Sequence, residues 1–557
     1  MNQSSTGFEF NLSDGHCSAT LATMRNRSFW LLLPMLFIFT GAAWAASSAA
    51  SAQTCADLKR MALPAGSIKS AESITAGAFI PPNLKAGEKV SHLYKETPAF
   101  CRVIAVLKPT PDSDIKVEVW MPESGWNGRF KGLGNGGFAG YIAYAGLAAS
   151  ISQGYATAST DTGHSTEGAS WALGHPEKVV DYGYRGVHEM TASAKLIVKA
   201  FYGDGPKQSY FAGCSNGGRQ ALMEAQRFPD DYDGILAGAP ANAWVPMLTS
   251  GLRLLQTFDG AGYIPAAKVP AIGQAVISAC HAQDGVLNDP RECRFDPATL
   301  LCKGADSDAC LTAPQVNSLK AIYAGAHDAS GQQIFPGSLP GAEEGSGGWA
   351  TWITGSERGK SSGTFFVTGY FVNMVYEKAD WDYKSANVDD ALKLAYAKTG
   401  NALDAMNPDL KPFLAHGGKL ILYHGWNDPG ISPLNSIHYY SSVISTVGSS
   451  SAEQSLRLYM VPGMQHCGGG PGATSFGQDE DSPRGDPQHD MYAALVQWVE
   501  NGSAPSTIIA TKYQSTEDGP KTVEMTRPLC PYPQTVSYKG SGEKNLASSF
   551  RCEAAGQ

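Results

Sequence analysis

The sequence predicts an α/β fold: a mostly parallel sheet covered by helices and interrupted by one large insertion. Three observations carry that expectation. Between residues 115 and 238, short apolar runs alternate with helix-like segments, the rhythm of a parallel sheet with crossover helices. That rhythm stops near residue 241 and resumes at residue 419, so the stretch between is inserted. Finally, Gly213-Cys214-Ser215-Asn216-Gly217-Gly218 stands where a strand-like run turns into a helix-like one. Small residues flank a serine in this way when the chain makes a sharp strand-to-helix turn.

Residues 115–121 alternate apolar and polar side chains, as a half-buried strand does. Residues 154–159 read as another strand, ending at Asp161. Residues 184–202 form a helix with Val187, Met190, Ala194, Ile197, Val198 and Phe201 on one face, stopped by Gly203. The strand at 210–213, a helix at 219–227 and a strand at 234–238 complete a β-α-β-α-β run. In residues 241–410, close-spaced cysteines, Trp349, Trp352, Trp381 and many Gly and Ser residues replace this pattern. The segment is read as a lid domain over the C-terminal edge of the sheet. Strands follow at 419–423 and 456–461, then a helix at 490–500 closed by Asn501-Gly502. Strand character is weak beyond residue 505. Residues 53–240 and 411–557 are therefore expected to form the sheet domain.

Composition narrows the function. With 43% hydrophobic and 17% charged residues the chain is globular, and its net charge of −9 excludes nucleic acid as the main partner. Residues 1–52 read as an N-terminal extension and signal peptide. Arg25 and Arg27 precede an apolar run at 29–39, then Ala43-Trp44-Ala45 and Ala50-Ser51-Ala52 offer cleavage after Ala45 or Ala52. Met24 is an alternative start. The apolar run falls short of the roughly 20 residues that a membrane span needs. No other segment is long and apolar enough, so no membrane association is expected after signal removal. Of 11 cysteines, Cys17 precedes the cleavage sites and ten remain, which an oxidising compartment pairs as five disulfides. Spacing suggests Cys280–Cys293, Cys302–Cys310 and Cys530–Cys552, and the absence of any C-x2-C pair argues against zinc. Nothing in the sequence specifies an oligomeric state.

The Gly-x-Ser-x-Gly pattern alone is weak, since Gly359-Lys360-Ser361-Ser362-Gly363 fits it too; with no strand before it, that second match reads as a loop. Gly132-Leu133-Gly134-Asn135-Gly136-Gly137 fits the dinucleotide fingerprint, and Asp161 follows at a suitable distance. An exported protein has no nicotinamide supply, however, and Phe138-Ala139-Gly140-Tyr141 is not a helix start. In α/β-hydrolases a glycine-lined loop early in the sheet supplies an oxyanion-hole N–H instead.

A serine nucleophile needs a base, and the base needs an acid to hold its tautomer. The hydrolase chain order is Ser, Asp or Glu, then His. The strand at 419–423 runs into His424-Gly425-Trp426-Asn427-Asp428-Pro429, and that at 456–461 into Pro462-Gly463-Met464-Gln465-His466-Cys467. Asp428 and His466 thus stand where strands end, in the order required. His424 competes as base but precedes Asp428 on the same turn. Cys214 adjoins Ser215, and Cys467 adjoins His466. A bridge between them, with Cα atoms about 4.4–6.8 Å apart, would pin nucleophile and base together.

Taken together, these segments resemble the tannase/feruloyl esterase family of serine hydrolases, which also includes mono(2-hydroxyethyl) terephthalate hydrolase. The resemblance rests on Gly213-Cys214-Ser215-x-Gly-Gly, Tyr423-His424-Gly425-x-x-Asp428, Pro462-Gly463-Met464-x-His466-Cys467, and Gly369-Tyr370-Phe371 through Asp380-Trp381-Asp382-Tyr383. It covers essentially the whole mature chain. It implies an α/β-hydrolase fold with a lid, Ser215 as nucleophile, His466 as base and Asp428 as orienter. It also implies oxyanion donors at the backbone of Asn216 and of Gly137, with Gly136 next, and the bridges Cys214–Cys467 and Cys55–Cys101. The implied substrates are small aromatic esters of feruloyl or galloyl type, with terephthalate-type esters or lactones as variants of the same chemistry. The implied location is secreted or periplasmic.

Family members carry a calcium loop in the lid, D-x-x-D-G-x-x-D-G-x-[IV], between bridged cysteines. Here the segment between Cys280 and Cys293 has His281 in place of the first aspartate and is shorter. Asp284, Asp289, Asn288 and the Val286 carbonyl offer few oxygens against the 6–8 that calcium prefers. A full site is not expected, and serine ester chemistry requires no cofactor. Two rival classes are an exported binding protein without catalysis and a serine peptidase.

Overall fold

Among the described residues sixteen strands punctuate the chain, and ten of them build one sheet. In chain order the strands before the insertion are β1 (Ala62–Leu63), β2 (Gly66–Ile74), β3 (Phe100–Leu107), β4 (Ile115–Pro122), β5 (Arg129–Leu133), β6 (Ala156–Thr160), β7 (Gln208–Cys214) and β8 (Gly234–Gly238). The insertion carries the small hairpin β9 (Ala326–His327) and β10 (Gln333–Phe335). The chain returns through β11 (Lys419–Gly425) and β12 (Leu456–Val461). Two hairpins close it: β13 (Ile508–Tyr513) with β14 (Val523–Leu529), and β15 (Gln534–Tyr538) with β16 (Phe550–Ala554). This computed structural model describes residues 52–82, 84, 89–166, 168–282, 284–480, 482, 484–514 and 522–554. The signal-peptide reading, apart from Ala52, falls outside the described residues.

The sheet order is β1-β2-β3-β4-β6-β5-β7-β8-β11-β12. β1 to β4 pair antiparallel, as do β4 and β6, whereas every pair from β6 to β12 is parallel. Order and direction together locate the crevice that matters. The chain leaves β5 toward β6 on one side, and it leaves β7 toward β8 on the other. The carboxyl ends of β5 and β7, adjacent in the sheet, therefore open a gap at a topological switch point, where open α/β sheets bind ligands.

Several elements depart from their sequence pattern for tertiary reasons. β4 reads as half-buried, yet only Lys116 on it is exposed. Glu118 is taken inward because Arg102 grips its carboxylate through Nε and Nη2, at 2.9 and 2.7 Å. The helix expected over 219–227 begins at Asn216 and runs to Arg227. Gly217 and Gly218 are poor helix formers, but packing overrides propensity here. The helix Gly186–Tyr202 buries Val187, Met190, Ala194, Ile197 and Val198, and stops at Gly203 with φ 86°. The stretch Gly359 to Gly363 is not simply a loop, since Ser361 caps the helix Ser362–Tyr370 by accepting the Thr364 N–H at 3.1 Å.

Between β8 and β11 the chain is mainly helical, with Trp244–Thr257, Val269–Ala279, Ala313–Ala324 and Val388–Ala395 as its longer elements besides that capped helix. Part of it owns a separate core around Phe258, Ile264, Leu319 and the fully buried Trp349. The rest packs on the sheet domain, where Trp244, Tyr370 and Phe371 join Phe138 and Tyr182.

Gly213 lies so close to the following helix that a Cβ on it would stand 2.7 Å from the carbonyl carbon and oxygen of Gly217. Backbone cannot yield as a flexible side chain can. Gly213→Ala is therefore expected to destabilise the protein by about 1–3 kcal/mol, read as a lowered thermal midpoint.

Candidate active site

Ser215 occupies a backbone conformation that L-residues avoid, φ 64° and ψ −121°. Such strain costs on the order of 1–3 kcal/mol and persists only where its surroundings enforce it. Here the Ser215 N–H donates to the Gly238 carbonyl on β8 at 3.0 Å. Its own carbonyl accepts from the Arg219 and Ala241 N–H groups at 3.0 and 3.1 Å. The serine is thus clamped between β8 and the helix it starts, at the carboxyl end of β7.

The loop after β5 rests on this elbow. Gly134 donates its N–H to the Ala212 carbonyl at 3.0 Å, and a Cβ on it would come within 2.7 Å of the Gly217 Cα. Asn135 and Gln220 exchange two hydrogen bonds, from the Asn135 N–H to Oε1 at 3.1 Å and from the Gln220 Nε2 to Oδ1 at 2.8 Å. The Asn216 Nδ2 donates to the Asn135 carbonyl at 3.0 Å, and Arg219 Nε holds the Asn216 Oδ1 at 2.9 Å. Of the two candidate glycines, Gly136 has its N–H committed to the Tyr141 hydroxyl at 2.7 Å. The Gly137 carbonyl is held by Tyr182 Oη at 2.9 Å, and among the described residues no acceptor takes the N–H of Gly137 or Asn216. Both residues line the same cavity as Ser215.

Asp428 and His466, on the turns after β11 and β12, meet there. The His466 Nδ1–H donates to Asp428 Oδ2 at 2.7 Å, which leaves Nε2 free to accept a proton. Asp428 is fully buried, and its Oδ1 accepts the N–H groups of Gly430 and Ile431 at 2.8 and 2.9 Å. Burial pushes the Asp428 carboxyl up, but His466 and the hydrogen bond from His424 outweigh it and hold the group well below the ordinary range. His424, the competing base, has no access to solvent. Its Nε2–H reaches Asp428 Oδ2 and the Ile431 carbonyl, both at 3.1 Å, while Nδ1 accepts from the Ser436 hydroxyl at 2.7 Å. It braces the carboxylate from behind.

A disulfide joins Cys214 to Cys467 with Cα atoms 5.9 Å apart, across 253 residues of chain. Cys467 is itself left-handed, φ 63°, so both half-cystines adjoin a functional side chain on a tight turn. The other four bridges are Cys55–Cys101, Cys280–Cys293, Cys302–Cys310 and Cys530–Cys552. Among the described residues, the Ser215 hydroxyl and His466 are near neighbours in one cavity without a hydrogen bond between them. Such catalytic bonds are often long before substrate arrives.

Two cavities meet at Ser215 and His466. One, of about 170 Å³, is mostly apolar and lined by Trp244, Leu248, Phe335, Phe366, Val367 and Ile431. The other, of about 630 Å³, is more polar and opens beside Tyr141 and Arg484. Trp352 lines both, its ring edge-on to His466 at 4.7 Å. Sequence reasoning missed Trp352's place, as it missed Asn135 and Gln220. For Asn135, its position inside the glycine run was the one available signal.

In the insertion, arginines engage the carboxylates that the sequence offers to a calcium ion. Asp284 Oδ2 accepts from Arg527 Nη2 at 2.9 Å, and its Oδ1 from the Val286 N–H at 3.2 Å. Asp289 is gripped by Arg291 through Nε and Nη2 at 2.8 and 2.5 Å. Arg527 is buried. Two guanidinium groups thus meet the carboxylates a cation would need, and the residues present do not fit a calcium ion.

This sheet order, with an elbow after β7, an acid after β11 and a histidine after β12, defines an α/β-hydrolase. A family model described as tannase and feruloyl esterase matches residues 101–553, and the chain belongs to that family of carboxylic-ester hydrolases. An uncharacterized esterase of Xanthomonas campestris pv. campestris is 42% identical over 538 residues, 91% of this chain and 92% of that protein. The "Probable feruloyl esterase B-1" of Aspergillus fumigatus is 32% identical over 501 residues, covering 87% and 92%. The crystal structure of feruloyl esterase B from Aspergillus oryzae superposes with a TM-score of 0.81 at 29% identity, covering 90% of this chain and 99% of that one.

Replacing Cys214 and Cys467 together by alanine removes the longest-range bridge of the five. Stability is expected to fall by about 2–4 kcal/mol, measured as a lowered thermal midpoint without reductant.

Proposed function

We propose that the protein hydrolyses carboxylic esters of aromatic acids, of feruloyl or galloyl type, through a Ser215–His466–Asp428 triad and an acyl-enzyme. The observation that carries this reading is the convergence of a strained, clamped serine with a histidine already bonded to a buried carboxylate. His466 Nε2 takes the Ser215 proton as the hydroxyl oxygen attacks the ester carbonyl carbon. The carbonyl oxygen becomes an oxyanion facing the Asn216 and Gly137 N–H groups, which have no other acceptor among the described residues. The same histidine proton passes to the departing alcohol, and water then repeats the sequence on the acyl-serine. Asp428, held ionised, stabilises the imidazolium that forms in each half-reaction.

The apolar cavity supports an aromatic acyl group, since Trp244, Leu248, Phe335, Phe366, Val367 and Ile431 make its lining mostly apolar. The five disulfides support a mature protein outside the cytoplasm, with a signal peptide removed after Ala45 or Ala52. Among the described residues no helix is long and apolar enough to cross a membrane. No metal enters the reaction as written, and the arginine pairs support a lid loop held together without calcium.

A serine-directed aryl phosphonate is expected to label Ser215, with the adduct located by peptide mass spectrometry. Ser215→Ala is expected to lose at least about 10³-fold in kcat/KM on methyl ferulate and methyl gallate. Labelling elsewhere, or undiminished turnover by the variant, would overturn the triad. Chelator treatment should leave the thermal midpoint unchanged, whereas Arg527→Met should lower it. A drop with chelator that added calcium restores would show that a cation is bound after all.

A further inference from the structure

The ester chemistry makes no use of Glu224, and the fold gives its carboxyl group no hydrogen bond. It stands on the helix Asn216–Arg227, and only 1% of its surface is exposed. Neither carboxylate oxygen has a hydrogen-bond partner among the described residues. Native structures rarely bury a carboxylate in this way, because the group loses its hydration and gains nothing in return.

Two further groups converge on it. His188 comes from the helix Gly186–Tyr202 and Asp231 from the turn before β8. One nitrogen or oxygen from each of the three side chains lies within 4.8 Å of the other two. His188 Nδ1 stands 2.7 Å from Asp231 Oδ2, and its ring stacks on Phe228 with centroids 3.8 Å apart, which fixes the ring plane. The His188 and Asp231 side chains are 33% and 15% exposed, so the cluster opens to water on their side. Lys195 approaches too, but its Nζ donates to the Asp231 backbone carbonyl and pairs with neither carboxylate. Burial and the neighbouring Asp231 push the Glu224 carboxyl well above its ordinary range, with Lys195 pulling less strongly the other way. Two carboxyl groups and an imidazole thus share a space where one proton or one cation relieves the repulsion.

We propose that Glu224, Asp231 and His188 form a binding site for one divalent transition cation, with zinc the best fit. Asp231 precedes β8 and Ser215 follows β7, so this site and the serine lie at opposite ends of the parallel strands. One imidazole nitrogen and two carboxylate oxygens suit zinc, whereas calcium takes an oxygen shell. Zinc holds such ligands at about 2.0–2.2 Å, so side-chain movement of about an ångström brings all three onto one ion. With the His188 proton on Nε2, Nδ1 is free to ligate. Water completes the shell on the open side. The ion ties two helices and the turn before β8 to one point, and it takes the place of the proton that Glu224 otherwise keeps. Protein that has not met the cation therefore gives a chelator nothing to remove.

The test is isothermal titration with zinc chloride of the desalted, metal-free protein, as wild type and as Glu224→Gln. Glutamine keeps the volume and removes the carboxylate. The wild type is expected to bind one zinc saturably, and Glu224→Gln to bind it at least about tenfold more weakly. Zinc at about a hundred times its Kd should raise the wild-type thermal midpoint by a few degrees, and that of the variant by less. No saturable binding, or equal affinity in the variant, would overturn the site. Zinc held on exposed pairs such as His175–Asp112 and His489–Asp486 would give that second result, because neither pair involves Glu224. Should Glu224→Gln fail to fold, His188→Phe keeps the ring stack and removes the nitrogen. It must weaken zinc by the same factor, and an unchanged affinity there counts equally against the proposal. Neither readout involves ester turnover, so the result stands apart from the esterase reading.

Discussion

Two stretches of backbone touch directly at the centre of this protein, and three glycines permit it. The loop after β5 lies on the first turn of the helix that begins at Asn216, with Gly134 and Gly213 each against Gly217. Any side chain there would separate the loop from the elbow. The contact sets the position of two N–H groups from different segments, Gly137 and Asn216, relative to one serine. Asn135 and Gln220 then fix that position by exchanging hydrogen bonds across it. Preorganisation of this kind matters because an oxyanion hole must be in place before charge develops.

The second requirement is electrostatic. A carboxylate buried as completely as Asp428 would be neutralised by protonation if it stood alone. It stays ionised because both oxygens are occupied, Oδ1 by two backbone N–H groups and Oδ2 by two histidines. His424 and His466 sit at opposite ends of that second oxygen and share little else. One is sealed in the core, bonded to Ser436 and Ile431, while the other reaches the cavity. Burial, rather than residue type, separates a bracing histidine from one that can carry protons.

Much of this was legible in the sequence, and the reasons are physical. Strand ends can be read from the point where apolar runs stop. Ser215, Asp428 and His466 all fall at such points, just after β7, β11 and β12, and the paired cysteines beside two of them separate Ser215 from Ser361. The same reasoning could not see Gln220 or Trp352. Gln220 acts through Asn135, 85 positions away. Trp352 comes from the insertion, where no period of two or 3.6 indicates which face looks at the serine. The arginine pairs on Asp284 and Asp289 show both cases: Arg291 is two residues from its partner, but Arg527 is 243 away.

The division of labour between sheet domain and insertion follows from these contacts. Every group assigned to the chemistry is held by the sheet domain. The apolar chamber's walls, in contrast, come mostly from residues beyond 241, including the tryptophan that edges His466. Arg219 spans the boundary: fully buried on the elbow helix, it donates to the Asn216 side chain and to carbonyls of Tyr182, Gly183 and Leu403. One guanidinium therefore ties the insertion to the residue proposed as an oxyanion donor. A substitution in the insertion that displaced Leu403 would reach the chemistry through that side chain. Elbow helix and insertion are thus joined by a buried cation, even though they lie in different parts of the chain.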